Sequence, residues 1–407
     1  MNTFEQIAER ERQFLLQTYN RYPIVLARGK GVFLYDIGDK RYLDFVSGLG
    51  VNALGHAHPR IVKAIREQAA RLVHVSNLYY HEYQGPLAEK LCALAAGAST
   101  QKFRAFFSNS GTEAIEGSIK LARLAGHRAG GEAKCRLVAL EGSYHGRTFG
   151  ALSLTGQDKH RKGFEPLLED VTFVKQNDLD GLRAAVNDNT CAIVLEPIFG
   201  EGGIYECTPE FLRECRALAD RHKVALIFDE IQCGLGRTGT IFAFQSFDVM
   251  PDIIAIAKPI AAGLPLGAFI AKEEFATAIS PGQHGTTFGG GPLACRVALE
   301  FLAIVEEEKL LENVSKVGAY LHQQLEEVVE KRGAAKGVRG RGFIQGIQLD
   351  IPARPIVDAA LDEGVLFNST QDTVVRFLPP FLMEEKHVDK GIRVLKKLLG
   401  KKRKMAA

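Results

Sequence analysis

Between residues 58 and 310, seven apolar runs of strand length alternate with helical patterns. They are FRAFF (103–107), RLVAL (136–140), VTFVK (171–175), AIVLE (192–196), VALIFD (224–229), IIAIA (253–257) and GAFIA (267–271). A strand with one wet face alternates apolar and polar residues, whereas runs that are apolar throughout must be covered on both faces. The pattern predicts an α/β fold with a large domain on a mainly parallel sheet and a small α+β domain. Three segments are expected: 1–50, joining the small domain; 51–309, the large domain; and 310–407, the small domain. Flanking elements fit this scheme. Residues 4–19 read as a polar helix ended by Pro23, and VFLYD and RYLDF as a β-hairpin about Ile37–Lys40. A long helical stretch is predicted over 297–330, strands near 343–349 and 374–378, and a last helix over 384–399.

Composition removes several function classes. The 51 Lys and Arg against 48 Asp and Glu give a formal charge of +3, which excludes a polyanion binder held by bulk charge. No run reaches the roughly 18 apolar residues of a membrane helix. The N-terminus mixes acids and bases with no apolar h-region, so the expected location is cytoplasmic, with no membrane partner. Seven cysteines with no CxxC pair read as reduced and buried. The terminal KKRKMAA has no aromatic residue on which a base could stack, so it reads as a solvated helix end with no nucleic-acid partner.

Two strand ends carry opposite charges. Lys258 follows IIAIA directly and precedes Pro259 and the stretch AAGLPLGA. Open α/β sheets bind ligands beyond the carboxyl ends of their strands, and a lysine desolvated there suits Schiff-base chemistry. Taken alone, a lysine snorkelling from a strand end is the stronger reading. Asp229 shifts that balance: it ends VALIFD, and a buried carboxylate needs a cationic partner. In a pyridoxal phosphate enzyme an acidic side chain keeps the pyridine nitrogen protonated while a lysine carries the aldehyde. A plain strand-end cap in the DEIQCG turn is the alternative.

A third element handles anions. FRAFF runs into Ser108-Asn109-Ser110-Gly111-Thr112 and then a helix with Ile115, Ile119 and Ala122 on one face. Amides at a helix start beside glycine form an anion site. Ser110 and Glu113 also have capping-box spacing, and the two roles are compatible. Gly234–Gly239 is a literal GxGxxG, but TGTIFAFQSF follows it rather than an amphipathic helix, so a dinucleotide-dependent oxidoreductase is a weak alternative. His56 and His58 lie in a turn with no carboxylate or thiol at ligand spacing, and no metal is expected.

Six motifs in order give the chain a family resemblance: NSGTEA (109–114), SYHGRT (143–148), EPIFGEGG (196–203), FDEIQCGLGRTG (228–239), AIAKPIAAGLPLGA (255–268) and HGTTFGGGPLAC (284–295). It resembles the class III aminotransferases from about Tyr19 to about residue 398. Within the class, VNALGHAHP (51–59) and HVSNLYY (74–80) are most similar to the acetylornithine aminotransferases. The resemblance implies a fold-type I transferase working as a homodimer with shared active sites. The implied cofactor is pyridoxal 5'-phosphate. Lys258 is then the Schiff-base lysine and proton shuttle, Asp229 pairs with the pyridine nitrogen, Gln232 lies near the phenolic oxygen, and Tyr144 stacks on the ring. The phosphate takes the helix start at Ser110, Gly111 and Thr112, with Thr287 donated by the other subunit.

The implied reaction moves the distal amino group of N-acetylornithine to 2-oxoglutarate, giving N-acetylglutamate semialdehyde and glutamate, in arginine biosynthesis. Ornithine, succinylornithine, acetyllysine and 4-aminobutyrate are the alternative donors. Each substrate carboxylate calls for a guanidinium, whose fork matches it. Arg147 is the candidate for the acylornithine carboxylate and Arg376, in VVRFLPP, for that of 2-oxoglutarate. By the resemblance, Glu201 pairs with Arg376 and releases it for the second half-reaction. Two departures stand out: Gly291 replaces the usual Asn of the GGNP segment, and Ala261-Ala262 replace part of a Gly-rich turn.

Overall fold

The structure, a computed structural model, describes residues 3–402. After a first helix (Phe4–Phe14) come three antiparallel strands, β1 (Leu26–Lys30), β2 (Phe33–Asp36) and β3 (Arg41–Asp44), the last two forming the expected hairpin. Seven strands follow: β4 (Phe103–Ser108), β5 (Arg136–Leu140), β6 (Val171–Val174), β7 (Thr190–Leu195), β8 (Ala225–Asp229), β9 (Ile253–Ile256) and β10 (Gly267–Lys272). They form one sheet in the order β4-β10-β9-β8-β7-β5-β6. All seven apolar runs are therefore strands of it. The C-terminal part adds β11 (Ala335–Arg341), β12 (Ile344–Leu349), β13 (Val365–Leu366), β14 (Asn368–Thr370) and β15 (Val374–Phe377). Four of these form a sheet in the order β11-β12-β15-β14, while β13 crosses over to pair in parallel with β3.

Both faces of the large sheet are dry, as continuous apolar runs require. Ile193, Leu195, Leu226, Phe228, Ile254 and Ile256 belong to one core cluster. Their neighbours Ala192, Val194, Ala225, Ile227, Ile253 and Ala255 belong to the other. The second face is covered by the Gly111–Gly130 helix through Ile115, Ile119 and Ala122, the three residues whose spacing predicted one apolar stripe. Only β10 runs against its neighbours β9 and β4. The connection over 257–266 is shorter than the dozen or so residues a parallel crossover needs, so the chain turns back on itself just past Lys258.

Two expectations need correction. The first helix stops at Phe14, not near residue 19, because Leu15 is extended and Gln17 Nε2 donates to the carbonyls of Glu11 (3.0 Å) and Leu15 (2.7 Å). The stretch over 297–330 is two helices, Pro292–Glu307 and Leu310–Lys331, broken where Lys309 adopts φ 50° and turns Leu310 into the core. The tail 403–407 lies outside the described residues. Strand β11, AKGVRGR, has no apolar period and could not be read as a strand.

All seven cysteines are free, five of them buried and Cys92 and Cys135 partly so. Among the described residues no helix is long and apolar enough to cross a membrane, and no cluster of three metal-ligating side chains occurs. His56 instead pairs with Asp44, Nε2 to Oδ2 at 2.7 Å.

Gly291 has a local structural role. It is the N-cap of the Pro292–Glu307 helix, with extended φ −64° and ψ 155° and no side chain to accept a first-turn amide. A Cβ there would lie 3.3 Å from the Phe288 carbonyl oxygen and 3.4 Å from His74 Nδ1, close but accommodated by a small shift. Asn at an N-cap exceeds Gly by a few tenths of a kcal/mol, so Gly291→Asn should raise stability by no more than about 0.5 kcal/mol. Chemical denaturation of the two proteins checks it, and a loss of stability would overturn this account of the position.

Candidate active site

Beyond the carboxyl ends of β4, β5, β7, β8 and β9 lies a cavity of ≈ 400 Å³. Its walls include Ser110, Gly111 and Thr112 at one side, Tyr144 and Arg147 at another, and Glu201, Asp229, Gln232 and Lys258. Nine of the eleven residues singled out from the sequence thus meet in one place. Arg376 is nearly fully buried behind Glu201 and does not line the cavity. Thr287 is exposed and lies outside the cavity of its own chain.

Lys258 follows β9 and starts a short 3-10 turn, Lys258–Ala261, with φ 33°. A lysine in the left-handed region is strained, and such strain concentrates where geometry serves function. The same turn ends at Ala262, φ 47°, which explains why a glycine suits that segment. Lys258 makes no hydrogen bond or ion pair among the described residues. Burial lowers its pKa; Glu201, Asp229 and Glu196 oppose the shift, while Arg376 adds to it. The neutral amine is thereby the favoured form relative to an exposed lysine.

Asp229, 2% exposed, closes β8 and shares its carboxylate between two donors. Oδ2 lies 2.8 Å from His145 Nδ1, and Oδ1 accepts the Ile231 amide at 3.0 Å. His145 is buried, and its Nε2 has no partner. The single bond at Nδ1 sets the imidazole tautomer that donates to Asp229. His145 was missed from the sequence although it sits inside SYHGRT, because nothing local places it beside a residue 84 positions away.

Glu196 was also missed. It follows β7, and its two oxygens accept the amides of Tyr144 (2.8 Å) and Gly200 (2.9 Å), tying together the loops that carry Tyr144 and Glu201. Burial and the neighbouring Asp229 push its pKa up to about 7 against the relief from His145 and the two amides. Tyr144 meets His160 edge-on at 5.8 Å, and the Arg147 guanidinium stands 5.7 Å from the Tyr144 ring. Gln232 Nε2 donates to the Leu49 carbonyl at 3.3 Å, while its buried Oε1 has no partner.

At the helix start, Ser110 Oγ accepts the Glu113 amide at 3.3 Å, so the cap exists. The reciprocal bond of a capping box is displaced by one residue: Glu113 takes the amide of Asn109, at 2.6 Å, instead of that of Ser110. Thr112 Oγ1 accepts the amides of Arg147 and Thr148, both at 3.2 Å. The first-turn amides of Gly111 and Thr112 remain as orphan donors aimed along the helix axis, the arrangement that holds an anion.

Arg376 on β15 is 1% exposed and surrounded by acceptors. Nη1 donates to Glu201 Oε1 and to the Gly200 carbonyl, both at 2.7 Å, and Nε and Nη2 donate to Asn368 Oδ1 at 3.0 and 2.6 Å. Burial raises the pKa of Glu201, but Arg376 and then Lys258 outweigh it, and the group sits below the ordinary carboxylate value. Asn368 carried no sequence signal, since nothing in FNST marks a partner for an arginine eight residues on.

The Gly234–Gly239 segment belongs to the crossover from β8 to β9 and opens no helix. Arg237 within it is buried, donating to the carbonyls of Gly50 (3.2 Å), Phe343 (3.3 Å) and Pro379 (2.5 Å). Side chain and backbone there are packed, and the dinucleotide alternative is discarded.

The sequence profile of the class-III aminotransferases matches residues 16–399. The chain belongs to the class-III aminotransferases. Among its relatives, the acetylornithine aminotransferase of Caldanaerobacter subterraneus subsp. tengcongensis is 44% identical over 96% of this chain and 98% of its own. That of Aquifex aeolicus is 45% identical over 95% of this chain and 100% of its own. Of solved structures, the ornithine aminotransferase of Toxoplasma gondii ME49 matches with a TM-score of 0.94 at 30% identity, covering 100% of this chain and 97% of that one. The acetylornithine aminotransferase of Elizabethkingia anophelis gives 0.87 at 30%, covering 98% and 100%. The fold is that of the pyridoxal phosphate-dependent aminotransferases, and this class-III aminotransferase is a transaminase using that cofactor.

The residues present fit pyridoxal phosphate. The cavity contains a partly buried amine that makes no hydrogen bond among the described residues, a buried carboxylate, an unpartnered amide oxygen on Gln232 and orphan helix amides for a phosphate. It is also held open by the absence of side chains: a Cβ on Gly111 would lie 2.8 Å from Ile231 Cδ1, and one on Gly200 2.6 Å from Gln232 Cγ.

Gly111→Ala should therefore push Ile231, which lines the cavity, into cofactor space. Overpacking of this kind costs enough to weaken cofactor affinity about tenfold, measured by titrating apoenzyme with pyridoxal phosphate and following absorbance. Unchanged affinity would show that the helix start does not bear on the cofactor.

Glu230, beside Asp229, generates a pH prediction. Its oxygens accept the amides of Ala243 (2.6 Å) and Phe244 (2.8 Å), and burial pushes its pKa from 4.5 up to about 8. Between those values the folded state keeps a proton that the unfolded state has lost, so this group's contribution to stability is full at low pH and declines as pH rises. Glu230→Gln has no such proton. Denaturation from about pH 5 to about pH 8 should show the variant gaining on the wild type; a constant difference would refute the assignment.

Proposed function

We propose that the protein is an N-acylornithine:2-oxoglutarate aminotransferase with N-acetylornithine as donor, acting in the cytoplasm in arginine biosynthesis. The observation that carries this reading is the unequal state of the two guanidinium groups. Arg147 is exposed at the cavity wall, while Arg376 is covered on its cavity side by Glu201. A donor that reacts through its distal amine needs one guanidinium, for its own carboxylate, and meets Glu201 where an α-carboxylate would otherwise dock. For 2-oxoglutarate, Glu201 must leave so that Arg376 can take the α-carboxylate bidentately. The names of the relatives that are 44% and 45% identical support the same donor.

Charge argues for an acylated donor. The α-nitrogen of ornithine is an ammonium beside the carboxylate that Arg147 would bind, and like charges in a partly desolvated site repel. An N-acyl amide has no charge and leaves only the carboxylate to be recognised. The likeness to a solved ornithine aminotransferase makes ornithine the runner-up.

Pyridoxal phosphate, when bound, supplies an aldehyde for the amine and a ring that withdraws electrons from the substrate carbon. Lys258 would hold the aldehyde and, once displaced by the donor, take the proton from the donor's distal carbon; the desolvation that lowers its pKa eases loss of the ammonium proton, as that role requires. Asp229, oriented by His145, would keep the proton on the pyridine nitrogen. Gly111 and Thr112 amides would hold the phosphate, Tyr144 would cover the ring and Gln232 would reach the phenolic oxygen.

A homodimer with shared sites completes the reading. Its support is that Thr287 and Phe288 are exposed on a loop joined by Asn77 to the segment of the likewise exposed Leu78, Tyr79 and Tyr80, a patch suited to a second copy donating Thr287. The segments 1–50, 51–309 and 310–407 remain the proposed division, supported by the pairing of β3 with β13.

Two measurements test the assignment. In a panel of N-acetylornithine, succinylornithine, acetyllysine, ornithine and 4-aminobutyrate with 2-oxoglutarate, N-acetylornithine should give the highest kcat/KM; an equal or higher value for ornithine would overturn the donor choice. Lys258→Ala should lose at least about 10²- to 10⁴-fold in turnover, and an active variant would remove the central assignment.

A further inference from the structure

The pair formed by Glu201 and Arg376 is held from one side by an element to which no role has yet been given. Asn368 and Arg376 are register partners across β14 and β15. Through this pairing Asn368 Oδ1 receives both Nε (3.0 Å) and Nη2 (2.6 Å) of the guanidinium. Two residues later the same strand reaches Glu201: its carbonyl oxygen accepts Thr370 Oγ1 at 2.7 Å and Gln371 Nε2 at 2.8 Å. Gln371 Nε2 also donates to Gln157 Oε1 at 3.0 Å, fastening this corner to the large sheet's loops. The turn joining β14 to β15 is tight, with Gln371 at φ 47° and Asp372 at φ 55°. Asn368, Thr370, Gln371 and Arg376 therefore ride on one hairpin.

We infer that β14 and Gln371 frame the carboxylate gate: Asn368 positions the Arg376 guanidinium, and Thr370 with Gln371 pin the main chain of Glu201, so the gate opens by swinging one side chain. This rests on the reading of Glu201 and Arg376 as the gate for 2-oxoglutarate. When the Glu201 carboxylate leaves, Arg376 still has Asn368 and the Gly200 carbonyl, and the Glu201 backbone keeps both its anchors. Neither loop nor arginine has to move, which keeps the site ordered for the second substrate.

The amide at 368 matters for its charge as well as its shape. A carboxylate there would align the guanidinium equally well but would neutralise it in both states of the gate. Asn368 orients without cancelling, and the positive charge of Arg376 is left for Glu201 or for the incoming dicarboxylate in turn. Asn368, Thr370 and Gln371 are positioning residues, selecting for an α-carboxylate only in the half-reaction that needs it.

The test uses holoenzyme and follows the two half-reactions separately by single-turnover absorbance, with N-acetylornithine and then 2-oxoglutarate. Asn368→Asp, nearly isosteric, should raise the concentration of 2-oxoglutarate needed for half-maximal rate roughly 10- to 100-fold. The N-acetylornithine half-reaction should stay within about twofold. Thr370→Val with Gln371→Ala should loosen Glu201 and lower the preference for N-acetylornithine over glutamate as amine donor about tenfold. If Asn368→Asp leaves the 2-oxoglutarate step unchanged, or slows both half-reactions alike, the frame is refuted. Glu201→Ala separates the two levels: if it alters neither half-reaction, the gate itself falls, and if it alters their ratio while Asn368→Asp does not, only the frame falls.

Discussion

A sheet covered on both faces leaves polar groups no outlet except at the strand ends. In this protein both faces of the seven-stranded sheet are dry. The backbone is satisfied within the sheet, and charged side chains collect beyond its carboxyl edge. Asp229 at the end of β8, Glu196 after β7, Lys258 after β9 and the Ser110–Thr112 helix start after β4 are all consequences of that constraint. One reversal matters. Because β10 turns back antiparallel over a short connection, Lys258 sits in a strained turn at the cavity instead of leading into a crossover helix.

The charges so collected are not independent. Three of the buried groups at the site are matched by partners from other segments: Asp229 by His145, Arg376 by Glu201, and Glu196 by the amides of two loops. Burial of an unmatched charge is costly, so these pairings hold the loops as firmly as packing does. Lys258 differs: it is partly buried and makes no hydrogen bond or ion pair among the described residues. An isolated amine in that environment loses its proton more easily, which is the property a transaminase lysine needs. Burial and the surrounding charges therefore prepare reactivity through the same few residues.

Much of the site was legible because strand ends and motifs are local. Lys258, Asp229 and Ser110–Thr112 could be read from the run-and-turn pattern, and the six ordered motifs tied Tyr144, Arg147, Glu201 and Gln232 to them. Residues whose function lies in a long-range contact were not legible. His145 faces Asp229 across 84 positions, and Asn368 acts by strand register with Arg376. The elements misread also have physical reasons. Lys309 breaks a helix by a left-handed residue inside an otherwise continuous helical pattern, and β11 is too polar and glycine-rich to show a period. The GxGxxG segment was rightly set aside, since its flanks decide its meaning and they form a crossover with a buried arginine.

The sequence by itself determined the large sheet and the family, and it put a lysine and an acidic residue at neighbouring strand ends. These follow from hydrophobic period and short motifs, which depend on neighbours along the chain. Only the tertiary structure decided which guanidinium is covered and which is open, where the cap's second bond goes, and that a three-residue strand braces both Glu201 and Arg376. Those are matters of distance and burial between segments far apart in sequence, and the chain must be folded before either quantity exists.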